Sequence, residues 1–142
     1  MSEADILARR VADHLSGREG TSAAFGIRVE EVREGYARVA MVVRRDMLNG
    51  HGVAHGGMIF ALADTAFDYA CNSRNVNTLA SQASVVFLAV VQEGARLVAE
   101  AREQSVSGRS GVYQVVVRDG EGRDVAVFQG LSRSAGGAVI GP

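Results

Sequence analysis

The chain has 142 residues, 15 of them basic and 16 acidic, for a net charge of −1 at neutral pH. That is enough chain for one domain with a single core. Its balanced charge excludes a general field drawing it onto nucleic acid or an anionic membrane. At 47% hydrophobic and 22% charged residues, the composition is that of a globular protein and too apolar for a disordered one.

Every basic residue is an arginine, which suits local phosphate contacts and is equally explained by codon bias. Cys71 is the sole cysteine; it excludes an intrachain disulfide and points to a reducing compartment. No charged segment leads into an apolar run at the N-terminus, and no apolar run reaches the roughly 18 residues of a membrane span. A cytoplasmic protein without a membrane segment is expected.

Along the chain, residues 3–16 carry Leu7, Val11 and Leu15 at i, i+4, i+8 beside Ile6, an amphipathic helix with Ser2 as its N-cap. GREGTS reads as a loop. AFGIRVEEV and YARVAMVVRR predict two strands joined at Glu34-Gly35, with Val39, Met41 and Val43 alternating against Arg38 and Arg44. From Asp46 to Gly57 the chain is glycine-rich and irregular. Met58 to Ser73, free of proline and internal glycine and apolar on nearly every face, predicts a buried helix. Four β-like runs follow, at 83–92, 95–106, 112–120 and 123–134, with turns at Glu93-Gly94, Gly108–Gly111 and Gly120–Gly122. The tail GGAVIGP reads as loose. The order α-β-β-α-β-β-β-β, without repeat or linker, predicts one α+β domain over 1–142. A long antiparallel sheet curls around the hydrophobic helix, whose uncovered side favours a second subunit.

Within HGGMIFALADTAFDYA, residues 55–70, Asp64 places a carboxylate at the centre of an apolar helix. An unpaired buried charge costs several kcal/mol, so this one is paired, neutralised or used. Gly56 and Gly57 precede the helix, where free backbone N–H groups and the helix dipole can accept an anion or a developing oxyanion. The plainer reading is a glycine turn. Asp64 lies eight residues beyond Gly56, roughly 12 Å along the axis. One subunit cannot easily bring both to the same carbonyl carbon, but two antiparallel helices across a two-fold can. Asp64 then reads either as a general base with a raised pKa or as a structural carboxylate bonded to Thr65, Asn49 or a backbone amide.

The segment MLNGHGVAHGGMIFALADTAFDYACNS, residues 47–73, closely resembles the hotdog-fold thioesterases of the PaaI group, through the pattern N-G-H-x-x-x-H-G-G-x-x-F-x-L-A-D-T-A-F. The likeness continues more weakly through GIRVEEVREGYARVAMVV, SGRSGVYQVVV and the final GGAVIGP. This group, associated with phenylacetate degradation, hydrolyses aryl-acetyl coenzyme A thioesters. The resemblance implies a hotdog fold, with a long sheet around one helix, and a site between subunits of a homodimer that pairs into a homotetramer. It assigns Asp64 as the acid that activates water or attacks the thioester, and the Gly56 N–H as the donor polarising the carbonyl. Asn49 and His55 become positioning groups and Thr65 a supporting hydroxyl. Coenzyme A binds near the Ser107, Gly108, Arg109, Ser110 turn in relatives, which favours a phosphate cradle there over an ordinary hairpin. No cofactor is implied, coenzyme A being part of the substrate.

Two departures stand out. Asp68, one turn after Asp64, occupies a position where close relatives carry a small residue. It reads as tuning the base, since near carboxylates raise one another's pKa, as binding substrate or as facing solvent, the last two favoured. VVFLAV, residues 85–90, lacks the Asp-Phe-Leu-Arg-Pro character of relatives. His51 and His55 are four apart, but the glycines between and around them argue against a helix, so no metal site is expected. Cys71 reads as a small buried hydrophobe, His14 as a surface residue, and Phe60, Phe67 and Tyr69 mostly as core, with one or two of them open to lining an acyl pocket. Competing readings are a hotdog enoyl-CoA hydratase or dehydratase, with His55 and Asp64 as its acid–base pair, and a non-catalytic acyl-CoA-binding protein.

Overall fold

The apolar segment forms α3, Gly56–Cys71, and the rest of the chain is arranged around it in the computed structural model, which describes residues 1–142. Leu62, Ala63, Ala66, Phe67 and Ala70 of this helix are fully buried. The alanines bring the helix close to a sheet, and the larger side chains fill the space between them.

Six strands make one antiparallel sheet: β1 (Arg28–Arg33), β2 (Tyr36–Val42), β3 (Thr78–Phe87), β4 (Arg96–Ser107), β5 (Ser110–Arg118) and β6 (Asp124–Ser134). Their spatial order is β1-β2-β4-β5-β6-β3. Side chains alternate between faces along each strand, so Val39 and Met41, Leu97 and Ala99, Val115 and Val117, and Phe128 close over α3. Phe67 stands at the centre, its ring against Tyr113 at 5.5 Å and Phe128 at 5.8 Å. This is the expected α+β arrangement.

Several local expectations are corrected. The first helix, α1, runs Glu3–Arg18, with Ser2 accepting from the Asp5 amide at 3.1 Å as its cap. GREGTS is not a loop: Gly20–Phe25 forms a short helix, α2, closed by Gly26 at φ +67°. Strand β3 begins at Thr78 and ends at Phe87, five residues upstream of the expected run at each end. The apolar run misplaced it, because its first residues are mostly polar or small and pair with β6 along the backbone ladder, as an edge strand can. The tail is not loose. Asn75 binds the Ile140 backbone through both N–H and C=O, and Asn77 donates to the carbonyls of Gly137 and Ala138.

Two features bear on the site. Strand β3 is an edge with apolar side chains in the open: Val86 and Phe87 are 58% and 50% exposed, and Leu88 and Val90 continue the run. Gly130 of β6, by contrast, is glycine for space, since a Cβ there would lie 2.7 Å from the Phe67 ring. A Gly130→Ala variant should therefore lose about 1–3 kcal/mol of stability in urea unfolding. Adding Phe67→Leu should return part of that loss; if Gly130→Ala costs nothing, the close packing of α3 on β6 is wrong.

Candidate active site

Three groups of polar residues are distributed along α3. At its start, His55 is the N-cap, and its Nδ1 accepts from the Gly57 amide at 2.8 Å. The helix thus opens at Gly56, two residues before the sequence predicts, because His55 supplies a cap that glycine cannot. The backbone N–H of Gly57 is occupied; that of Gly56 has no partner in the chain. Phe87 from the end of β3 lies against Gly56, its ring 3.0 Å from where a Cβ would be. Ahead of the cap, Asn49 Oδ1 accepts from the amides of His51 and Val53, which shapes the loop and holds His55 in place. The His55 amide in turn donates to the Met47 carbonyl at 2.8 Å. So Asn49, His55 and Gly56 do come together, with Asn49 and His55 both engaged in building the helix start.

Two turns further on, Asp64, Thr65 and Asp68 line an open hollow with Glu19, Phe67, Leu79 and Ala80. Thr65 is buried, and its hydroxyl donates to the Ala61 carbonyl at 2.7 Å. Asp64 is half-buried and accepts no hydrogen bond from Thr65, Asn49 or any backbone amide. The structural-carboxylate reading therefore finds no partner for it. Burial first, and the negative charge of Glu19 second, push its carboxyl above the usual carboxylate range.

Asp68 does not face solvent freely, as one expectation had it. Asn72 Nδ2 donates to its Oδ1 at 3.0 Å and to its carbonyl at 2.9 Å, and Asn72 Oδ1 accepts from the Thr78 amide. Asn72 thus locks the end of α3 to the start of β3. Burial, then the charges of Glu19 and Asp64, raise the Asp68 carboxyl to about 7.

At the far end of α3 sits the β4–β5 hairpin, turning on Gly108 and Arg109 with Ser107 paired to Ser110. Ser107, Gly108 and Arg109 are exposed. Arg109 and Ser110 border a cleft shared with Cys71 and Arg74, so this group stands at the opposite end of the helix from Gly56. Cys71 is buried, and burial pushes its thiol up, away from nucleophile behaviour. No three His, Cys, Asp or Glu side chains form a metal-ligating group, and no helix is long and apolar enough to cross a membrane.

A helix start with one free amide, followed on the same helix by a half-buried carboxylate with no partner, is an arrangement suited to acyl transfer: a donor for an oxyanion and a base for water. Comparison with known proteins decides the family. A profile described as the thioesterase superfamily matches residues 51–126, which include the free amide, the carboxylate and most of the sheet. The chain belongs to the thioesterase superfamily. Among its relatives, acyl-coenzyme A thioesterase PaaI of Escherichia coli is 41% identical over 118 residues, 83% of this chain and 84% of that one. A putative esterase of Archaeoglobus fulgidus is 36% identical over 124 residues, 87% of this chain and 80% of that one. The structure of the E. coli PaaI protein from the phenylacetic acid degradation operon superimposes with a TM-score of 0.94 at 36% identity, covering 96% and 99% of the two chains. The fold is the hotdog fold and the chain a PaaI-like thioesterase, a thioester hydrolase.

Sequence reasoning missed Glu19 and Asn72, and while it placed Tyr69 in the core, where it lies, it did not foresee the partner of its hydroxyl. The phenol of Tyr69 was the available signal, since a buried tyrosine hydroxyl requires a partner; here it donates to Glu19 at 2.5 Å.

A carboxyl raised by folding binds its proton more tightly in the native state. The stability contributed by burying neutral Asp68 is therefore fully present below the unfolded value near 3.9 and is lost as pH rises through about 7. Thermal midpoints of the wild type and Asp68→Asn across pH 4 to 8 should diverge over this window, the wild type losing ground as pH rises. Parallel curves would show that Asp68 titrates as it does in the unfolded chain.

Proposed function

We propose that this thioesterase hydrolyses acyl-coenzyme A thioesters, phenylacetyl-CoA and ring-hydroxylated or related aryl-acyl versions foremost, to the free acid and coenzyme A. The relative's name and its phenylacetic acid degradation operon support the substrate class. The observation that carries the mechanism is that the Asp64 carboxylate and the Gly56 amide both lack partners within their own chain.

They stand about 12 Å apart along one rigid helix, too far to act on one carbonyl. A second copy packed antiparallel across α3 brings Asp64 of one subunit towards Gly56 of the partner subunit. The open apolar edge at β3 supports such pairing, since an exposed strand edge with a run of large apolar side chains calls for cover. The homodimer holds two such sites, and its pairing into a homotetramer follows from the resemblance to the PaaI group.

In the water-activated form, Asp64 removes a proton from water as the water oxygen bonds to the thioester carbon. The carbonyl oxygen becomes an oxyanion held by Gly56 N–H of the partner subunit. When the carbonyl reforms, the C–S bond breaks and Asp64 returns the proton to the departing sulfur. In the covalent form, the Asp64 carboxylate attacks the carbon directly, and the C–S bond breaks as coenzyme A leaves as its thiolate. Water then hydrolyses the mixed anhydride to the free acid and the Asp64 carboxylate. Asn49 offers its amide nitrogen and His55 its Nε2 as positioning donors, their other polar atoms being engaged at the helix start. Thr65, its hydroxyl engaged on the Ala61 carbonyl, contributes to the helix beside Asp64 rather than a hydrogen bond to it. Ser107, Gly108, Arg109 and Ser110 offer an uncommitted guanidinium and hairpin to coenzyme A phosphates. Neither form draws on a cofactor.

Two substitutions test this reading by colorimetric detection of free thiol. Asp64→Asn should lower kcat by about 10²–10⁴-fold while a coenzyme A analogue still binds. Gly56→Pro removes the free N–H at the first helical position. Because its Cβ presses on the Phe87 ring, it is read against Gly56→Ala, which presses equally but keeps the N–H. Proline should cost about 10²–10³-fold more than alanine. Near-normal turnover in Asp64→Asn would remove Asp64 from the mechanism, and a product with an altered double bond in place of free thiol would favour hydratase chemistry.

A further inference from the structure

The hollow beside α3 receives one group from outside the helix and sheet. Glu19, at the junction of α1 and α2, reaches it and is held there by two hydroxyls: Tyr69 donates to Oε2 at 2.5 Å and Ser22 at 2.9 Å. Tyr69 is fully buried and Ser22 nearly so, so this anchor ties the α1–α2 junction to the helix that carries Asp64. Two hydroxyl donors on one carboxylate oxygen fix where that group sits beside the helix.

Besides Thr65 and Phe67, which carry no charge, these groups surround Asp64. Asp68 lies one turn along the same helix face, Cys71 follows it, and Tyr69 and Ser22 are engaged on Glu19. From β3 come Leu79 and Ala80, neither charged. None of the chain's ion pairs includes Glu19, Asp64 or Asp68, so no arginine offsets the negative charge gathered here.

We propose that Glu19 is a positioning residue for the thioesterase reaction, a fixed negative charge that Tyr69 and Ser22 hold beside the aspartate face and that sets the pH range in which Asp64 works. This rests on Asp64 being the base. A like charge close by disfavours ionisation of a carboxyl group, and half-burial strengthens that effect by weakening the screening between them. Burial and then the negative charge of Glu19 push both the Asp64 and the Asp68 carboxyl upward, which agrees with this arrangement. A base that holds a proton more tightly is better matched to abstracting one from water near neutral pH.

The decisive experiment is the pH dependence of kcat/KM in Glu19→Gln and Glu19→Asp beside the wild type. Glutamine keeps an acceptor for Tyr69 and Ser22 but removes the charge, so the acid limb should move to lower pH. Aspartate keeps the charge, so its acid limb should stay near that of the wild type. An acid limb unmoved in Glu19→Gln, or moved equally in Glu19→Asp, would overturn the proposal. If the glutamine variant does not fold, Tyr69→Phe serves instead: it frees the carboxylate to swing towards solvent, and the acid limb should move the same way by less, an unmoved limb again overturning the proposal. These outcomes are separate from failure of the underlying mechanism, because the loss of turnover in Asp64→Asn does not depend on Glu19.

Discussion

A carboxylate left without a partner in the middle of an apolar helix is the constraint around which this protein is built. The sheet buries α3 so fully that Leu62, Ala63, Ala66 and Phe67 have no exposed surface, yet Asp64 among them reaches an open hollow. Desolvating a charge with nothing to bind it works against folding. A helix turned by one position would put an alanine or a threonine there and avoid that cost. The helix is instead held in its present rotation by Phe67, which fits only because β6 carries Gly130 opposite its ring. Packing thus places this carboxylate, the proposed base, at the hollow, and stability is given up to keep it there.

The start of the same helix shows similar economy. A helix N-terminus leaves several amides without acceptors, and here His55 satisfies the Gly57 amide while that of Gly56 stays free. Because the cap is itself held by the Asn49 loop and the Met47 carbonyl, the free amide points in a fixed direction. A fixed donor has more effect on developing charge than a mobile one, since it needs no reorganisation during the reaction. The side chains most conspicuous in the motif, Asn49 and His55, therefore contribute first by holding a backbone group in place.

Much of this was legible in the sequence for identifiable reasons. The period of α3, its lack of proline and the glycine pair ahead of it specify the helix and its start to within two residues. Strands β4, β5 and β6 alternate and are bounded by glycine turns, so they were legible too. Strand β3 was misplaced because its first residues are mostly polar or small, while the apolar run at its end continues past the strand in Leu88 and Val90; only Ala83 and Val85 pack on the core. The helix α2 was hidden because a six-residue segment rich in glycine, serine and threonine carries no helical period. Glu19 was illegible for a related reason: its partner Tyr69 lies fifty residues away, and only the fold joins them. The tail was taken as loose because no side chain of its own anchors it; the anchors are Asn75 and Asn77.

That each site takes its base from one subunit and its oxyanion donor from the other is tested most directly by subunit mixing. Asp64→Asn and Gly56→Pro homodimers, each inactive alone, are combined and allowed to exchange. Shared sites predict recovery of about a quarter of the wild-type rate, because half of the dimers are hybrids and each hybrid holds one intact site of two. A mixture that exchanges subunits yet stays inactive would contradict the account and place both groups' work within a single chain.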